Sequence, residues 1–94
     1  MKDIVSVKFE DGFGLLQARV YRCNYNDDLE LIRFSRYCLS HQEAASFRKG
    51  WEAVKAPYLE KVTTSLSRFP AYKTYRVVVT LHARIGSYST QKVL

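Results

Sequence analysis

Two histidines, His41 and His82, are the side chains of this 94-residue chain best suited to acid–base chemistry near neutral pH. His41 stands at the start of a predicted helix, where the helix dipole disfavours its charged form, and this position is typical of an exposed residue. His82 falls on the outward side of a predicted strand, close in sequence to Arg76 and Arg84. A general base needs a positioned partner, and the sequence identifies none for either histidine.

Motifs for other kinds of catalysis are also missing. The sequence has no G-x-S-x-G elbow, no glycine-rich phosphate loop and no H-E-x-x-H. The hydroxyls of residues 63–65 have no neighbouring base, and the acidic cluster Asp27, Asp28 and Glu30 lacks the glycine and distal glutamate of a calcium loop. We therefore predict a protein that is not an enzyme and that holds no metal or cofactor.

The charge distribution predicts a polyanionic partner. The formal net charge is +6, yet residues 1–60 carry nine basic and nine acidic residues. The whole excess lies after Glu60, where six lysines and arginines occur without any acid. Such an asymmetry favours nucleic acid, a nucleoprotein or an acidic protein surface as partner; a basic protein without such a partner is the alternative.

The cysteines and the apolar runs indicate the cellular compartment in which the protein is expected. Cys23 and Cys38 form no CxxC pair, and the strand assignment below puts them far beyond the ~7 Å Cα separation that a disulfide tolerates. No stretch approaches the ~20 apolar residues that span a bilayer, and the N-terminus has no apolar signal core. We predict one cytoplasmic domain over residues 1–94 with two free thiols.

Alternation of apolar and polar residues predicts four strands, over residues 3–10, 15–23, 29–38 and 72–85. Asp11-Gly12, with Gly14 close behind, predicts a tight hairpin between the first two, and residues 24–28 predict a turn before the third. The first three strands should form an antiparallel meander. Residues 87–94 are either a short edge strand or a mobile tail.

A helix is predicted from Ser40 onwards, because Ser40 and Glu43 match a capping box. An apolar stripe at helical spacing follows, formed by Ala44, Phe47, Trp51, Val54 and Tyr58. Pro57 must interrupt the helix, and the apolar face continues through Leu59, Val62 and Leu66 to about Ser67. We predict one helix that is kinked or split at Pro57.

These elements predict a two-layer α+β fold. Its antiparallel sheet has four or five strands, the element order is βββα(α)β(β), and the helix packs on one face. The uncovered face then displays Arg19, Tyr21, Arg33, Tyr37, Arg76, Thr80, His82 and Arg84. Arginine donates paired hydrogen bonds to phosphate, and tyrosine offers a ring on which an unpaired base can stack. An ordinary solvated sheet face is the alternative interpretation.

A second basic surface is predicted on the polar side of the helix, at Arg48, Lys49, Lys55 and Lys61. Glu52 and Glu60 are interspersed there, so a solvated helix face is the alternative. Neither surface matches a family motif. The sheet-platform RNA-recognition fold, for example, has the order βαββαβ, whereas three strands precede any helix in this prediction.

The predicted function is non-enzymatic docking on nucleic acid or a nucleic-acid-containing complex through the Arg/Tyr surface. An alternative is a stoichiometric inhibitor of a host nuclease or ribonucleoprotein, of the anti-restriction or anti-CRISPR kind, because short, basic proteins without motifs are frequent in phages and mobile elements. A small ribonuclease toxin using His82 and Arg84 is a second alternative. The sequence leaves the oligomeric state open.

Overall fold

A computed structural model of the chain describes residues 3–11 and 15–93, which form a six-stranded antiparallel sheet and one α-helix. The elements are β1 (Val5–Phe9), β2 (Leu15–Arg22), β3 (Leu29–Cys38), α1 (His41–Glu52), β4 (Leu59–Phe69), a 3-10 turn (Pro70–Tyr72), β5 (Thr74–Arg84) and β6 (Tyr88–Lys92). The strands lie in the order β4-β5-β3-β2-β1-β6. Gly12 and Gly14 of the predicted hairpin, and Leu94, lie outside the described residues.

The centre of the sheet is the long ladder between β3 and β5. It runs without interruption from the pair Leu29–Arg84 to the pair Cys38–Tyr75. Ile32 is directly opposite Leu81 in this ladder, and both side chains are fully buried. Every second residue of the two strands therefore faces the core, as alternation requires. The strand prediction for residues 29–38 is confirmed, and that for residues 72–85 is confirmed except for its ends.

The helix begins where the capping box predicts. Ser40 Oγ accepts a hydrogen bond from the Glu43 backbone N–H at 3.1 Å, and Glu43 Oε2 accepts one from the Leu39 N–H at 3.4 Å. The apolar side of α1 packs on β3, β4 and β5, with Trp51 edge-on to Phe34 at 4.9 Å between ring centroids. This packing leaves the opposite side of those strands, which we call the open face, without a covering helix.

The predicted second half of the helix is wrong. The helix ends at Glu52, and the residues after Pro57 form β4 instead. A β-bulge between Leu59 and Lys61 explains the error: Leu59 pairs with Ala83 and Val62 with Leu81, so both point to the core face although they are three residues apart. That spacing imitates a helical turn, while the β-branched residues 62–64 favour a strand.

The predicted strand number is also wrong, because the sheet has six strands and not four or five. The strand that the prediction lacks is β4. Of the two alternatives predicted for residues 87–94, the edge strand is correct: β6 pairs along β1 from Val5–Lys92 to Phe9–Tyr88. The turn after β5 brings β6 alongside β1. Gly86 in this turn has φ +93°, a conformation that glycine adopts without strain.

A ring stack joins distant parts of the sheet on the core side. The buried Phe9 of β1 stacks on Tyr58, just before β4, with ring centroids 5.0 Å apart. The Tyr58 hydroxyl also donates a hydrogen bond to Asp11 Oδ2 at 2.9 Å. Burial, and then the hydrogen bond to Asp11, raise the pKa of Tyr58 to about 12. The hydroxyl therefore stays protonated and able to donate at physiological pH.

Cys23 and Cys38 are buried and unbonded, which confirms the prediction of two free thiols. Among the described residues, no helix is both long and apolar enough to cross a membrane.

Truncation of Leu81 tests the position of the core. We expect Leu81→Ala to lower the free energy of unfolding by about 2–5 kcal/mol, because it leaves a cavity between fully buried neighbours. Ile85→Ala is the matched control, since Ile85 is 57% exposed four residues further on, and it should change stability by about 0.5 kcal/mol or less. Urea denaturation measures both, and equal effects would contradict this core assignment.

Candidate anion-binding groove on the open face

A concave surface on the open face encloses a volume of about 720 Å³. We call it the open-face groove, and its polar lining residues are Gln17, Arg19, Tyr21, Arg33, Ser35, Thr63, Thr64, Ser65, Arg76 and Thr80. Among the residues that the structure describes, no aspartate or glutamate lines this groove. Its size falls within the ~300–1,000 Å³ that small-ligand sites occupy, and its charge is that of an anion site.

The strand registers arrange the groove in three transverse rows. One row holds Arg19, Arg33, Thr80 and Thr63; the next holds Ser35, Val78 and Ser65; the last holds Tyr37, Arg76 and Ser67. The middle row has short side chains, whereas the flanking rows carry long cations. The groove is therefore a dip between two cationic rows, which lie about 13 Å apart along the strands.

Two arginines of the first row face each other. Arg19 of β2 is the direct register partner of Arg33 of β3. Like charges at opposed positions on neighbouring strands destabilise a sheet. Arg33 is held in place by a hydrogen bond from its Nε to Thr80 Oγ1 at 3.1 Å and by the Tyr21 ring, whose centroid is 4.9 Å from the guanidinium carbon. Both side chains line the groove, so both can approach an anion that binds there.

The third arginine, Arg76, lies in the last row, on the far side of the groove from Arg19 and Arg33. Its Nε is buried and has no hydrogen-bond partner in the part of the chain that the structure describes. A buried donor without an acceptor is costly, and more so when the group is charged. The Nε–H of Arg76 is therefore a donor for which the described part of the protein supplies no acceptor.

His82 lies on the same face but beyond the groove, under the turn between β2 and β3. Tyr25 of this turn donates its hydroxyl proton to Glu60 Oε2 at 2.5 Å, so it must accept from His82 Nδ1–H at 2.9 Å. The other nitrogen, Nε2, then accepts from the Thr63 hydroxyl at 3.3 Å. Both ring nitrogens are thus engaged within the protein, 7% of the residue's surface is exposed, and the ring packs against the first half of β4.

Electrostatics keeps this histidine neutral. Burial lowers the pKa of His82 below its ordinary 6.5, and the nearby Lys61 lowers it further, whereas Glu60 opposes them. The hydrogen bond to Glu60, with burial second, raises the pKa of Tyr25. Lys61 covers the other side of this arrangement, with its Nζ 5.0 Å from the Tyr25 ring centroid.

The other predicted residues are not among the lining residues of the groove, although Tyr37 borders it beside Arg76. Arg84 is exposed at the end of β5, and Tyr37 is 62% exposed beside the groove, with its ring centroid 6.3 Å from that of Phe69. The predicted helix surface is divided: Arg48 donates to Thr64 Oγ1 at 3.0 Å and Lys49 is exposed on α1, while Lys55 follows the helix and Lys61 belongs to β4.

Several groove residues were missed by the sequence interpretation. The sequence pattern predicts a helix for Thr63, Ser65 and Ser67, and this prediction does not bring them next to the arginines. The available signal was the two-residue alternation that puts Thr63, Ser65 and Ser67 on one face of a strand and Val62, Thr64 and Leu66 on the other. The contact between Tyr25 and His82 spans 57 residues and has no signal in the sequence.

Within residues 3–11 and 15–93, no group of three or more His, Cys, Asp or Glu side chains could hold a metal ion. Comparison of the chain with protein-family models, curated proteins and solved structures gave no match.

The neutral state of His82 predicts a pH-dependent stability. Above about pH 6.5 the His82 ring is neutral in both the folded and the unfolded chain. As the pH falls below this value, the unfolded chain takes up a proton first, because the folded protein has the lower pKa, and the free energy of unfolding decreases. We expect a loss of at most about 1.4 kcal/mol per pH unit from this group. In urea denaturation between pH 7.5 and 5.5, the free energy of unfolding of His82→Asn should depend less on pH than that of wild type. Parallel profiles would show that burial does not hold His82 neutral.

Proposed function

We propose that this protein is a non-enzymatic nucleic-acid-binding protein whose binding site is the open-face groove. The observation that carries the proposal is the gathering of Arg19, Arg33 and Arg76 around one concave surface without any carboxylate in its lining. Phosphate suits such a surface, because the guanidinium fork donates two parallel hydrogen bonds to its oxygens.

The composition of the groove supports nucleic acid over a small inorganic anion. Its cations lie in two rows about 13 Å apart, which suits a ligand with repeated negative charges. The hydroxyls of Ser35 and Ser65 between the rows can donate to and accept from sugars or base edges. The engaged and buried state of His82 supports a binding role without cleavage. Two free, buried cysteines fit a reducing compartment such as the cytoplasm.

One observation favours a second candidate, an inhibitor that docks on a nuclease or ribonucleoprotein through protein contacts. Tyr37, Leu39 and Tyr72 are 62%, 80% and 78% exposed, and all three belong to the end of the sheet where β3 finishes and β5 begins. Exposed apolar and aromatic side chains of this kind are typical of protein interfaces. Such an inhibitor would bind its protein target tightly and free nucleic acid poorly.

Removal of two groove cations tests the main proposal. We expect Arg33→Gln/Arg76→Gln to weaken binding of mixed-sequence oligonucleotides about tenfold or more and to reduce the slope of log K against log salt by roughly 1.5, because two phosphate contacts are lost. Fluorescence anisotropy over a salt series gives both quantities. Undetectable binding by wild type at about 50 mM salt would reject nucleic-acid binding and leave the inhibitor candidate.

The control changes net charge equally at the other basic surface. Lys49→Gln/Lys55→Gln removes two exposed cations away from the groove. We expect an affinity within about twofold of wild type, with a smaller change of slope, since distant cations are screened over ~8–10 Å. If the two double variants behave alike, binding follows total charge, and the groove is not the site.

A further inference from the structure

The aromatic pair at the end of the groove indicates which form of nucleic acid binds; this step rests on the proposed function. Tyr37 of β3 and Phe69 of β4 lie on the open face on either side of Arg76, with ring centroids 6.3 Å apart. Tyr37 is the direct register partner of Arg76, so their Cβ atoms are about 5 Å apart. The protein thus presents a cation and an exposed ring side by side.

The two tyrosines of the open face differ in what they can still bind. The Arg33 guanidinium already lies over the ring of Tyr21. Tyr37 has 62% of its surface exposed, and Phe69 contacts it at an interplanar angle of 50°, so a part of the Tyr37 ring remains accessible. Stacking of a base is therefore expected on Tyr37, whereas Tyr21 orients Arg33.

The shape of the groove disfavours a duplex. The base edges of double-stranded DNA lie in grooves that are read by a projecting helix or β-ribbon. Here the arginines border a recess whose floor is formed by Ser35, Val78 and Ser65. A single strand can enter such a recess with its phosphates at the arginines and an unpaired base turned to the aromatic ring, whereas a paired base must first be unpaired and unstacked, which costs free energy.

We infer that the open-face groove binds single-stranded nucleic acid, with the phosphate backbone along Arg33 and Arg76 and one unpaired base stacked on the Tyr37 ring, which Phe69 supports. The site therefore contains a phosphate-binding part and a base-stacking part, and the two parts are separable by mutation.

The test compares single-stranded and duplex oligonucleotides of about 12 nucleotides, in DNA and RNA versions, by fluorescence anisotropy at one salt concentration. We expect wild type to bind the single strands at least tenfold more tightly than the duplexes. Tyr37→Ala should weaken single-strand binding about 5- to 100-fold and leave the duplex affinity within about twofold. The matched control is Tyr72→Ala, a 78% exposed tyrosine at the same end of the sheet but outside the groove, which should stay within about twofold of wild type for both.

The outcomes separate this inference from the proposed function. Equal affinity for duplex and single strand, or equal effects of Tyr37→Ala and Tyr72→Ala, would overturn single-strand stacking. The groove would still be the binding site if Arg33→Gln/Arg76→Gln weakened all of the ligands. If wild type binds none of the oligonucleotides, the proposed function itself fails. Urea denaturation of each variant verifies that it is folded, which the exposure of both tyrosines leads us to expect.

Discussion

The uninterrupted pairing of β3 with β5 is the constraint on which the rest of the structure depends. It fixes which side of every central residue faces α1, because a shift of register by one residue would exchange the two faces. The burial of Ile32 and Leu81 on one side therefore determines the exposure of Arg33 and of the hydroxyl-rich floor on the other. Core and groove are two results of the same ladder.

The groove has a composition that a folding requirement alone does not explain. Placing Arg19 opposite Arg33 costs stability, and burying Nε of Arg76 without a partner costs more. Arg36, by comparison, contacts Glu43 at 3.3 Å. An anionic partner of the kind proposed would offset part of these costs on the open face.

The sequence predicted the parts of this arrangement that depend on local pattern. Alternation in residues 29–38 and 72–85 assigned the faces of β3 and β5, and the capping box at Ser40 located the start of α1. The strand formed by residues 59–69 was not predicted, because the bulge at Leu59 gives its apolar residues the spacing of a helix. The neutral, supported state of His82 depends on Tyr25, whose position relative to β5 is set by tertiary packing that no local pattern encodes.

The attachment of β6 has a consequence for the way the protein opens. This strand pairs only with β1, whose own remaining partner is the first half of β2. The ladders that carry the arginines, between β2, β3, β5 and β4, do not include either of them. The exposed residues of β6 after Tyr88 can fray while the arginine rows keep their register, whereas β1 buries Val7 and Phe9 in the core. Amide hydrogen exchange would therefore find a labile margin in β6 and a persistent centre that includes β1.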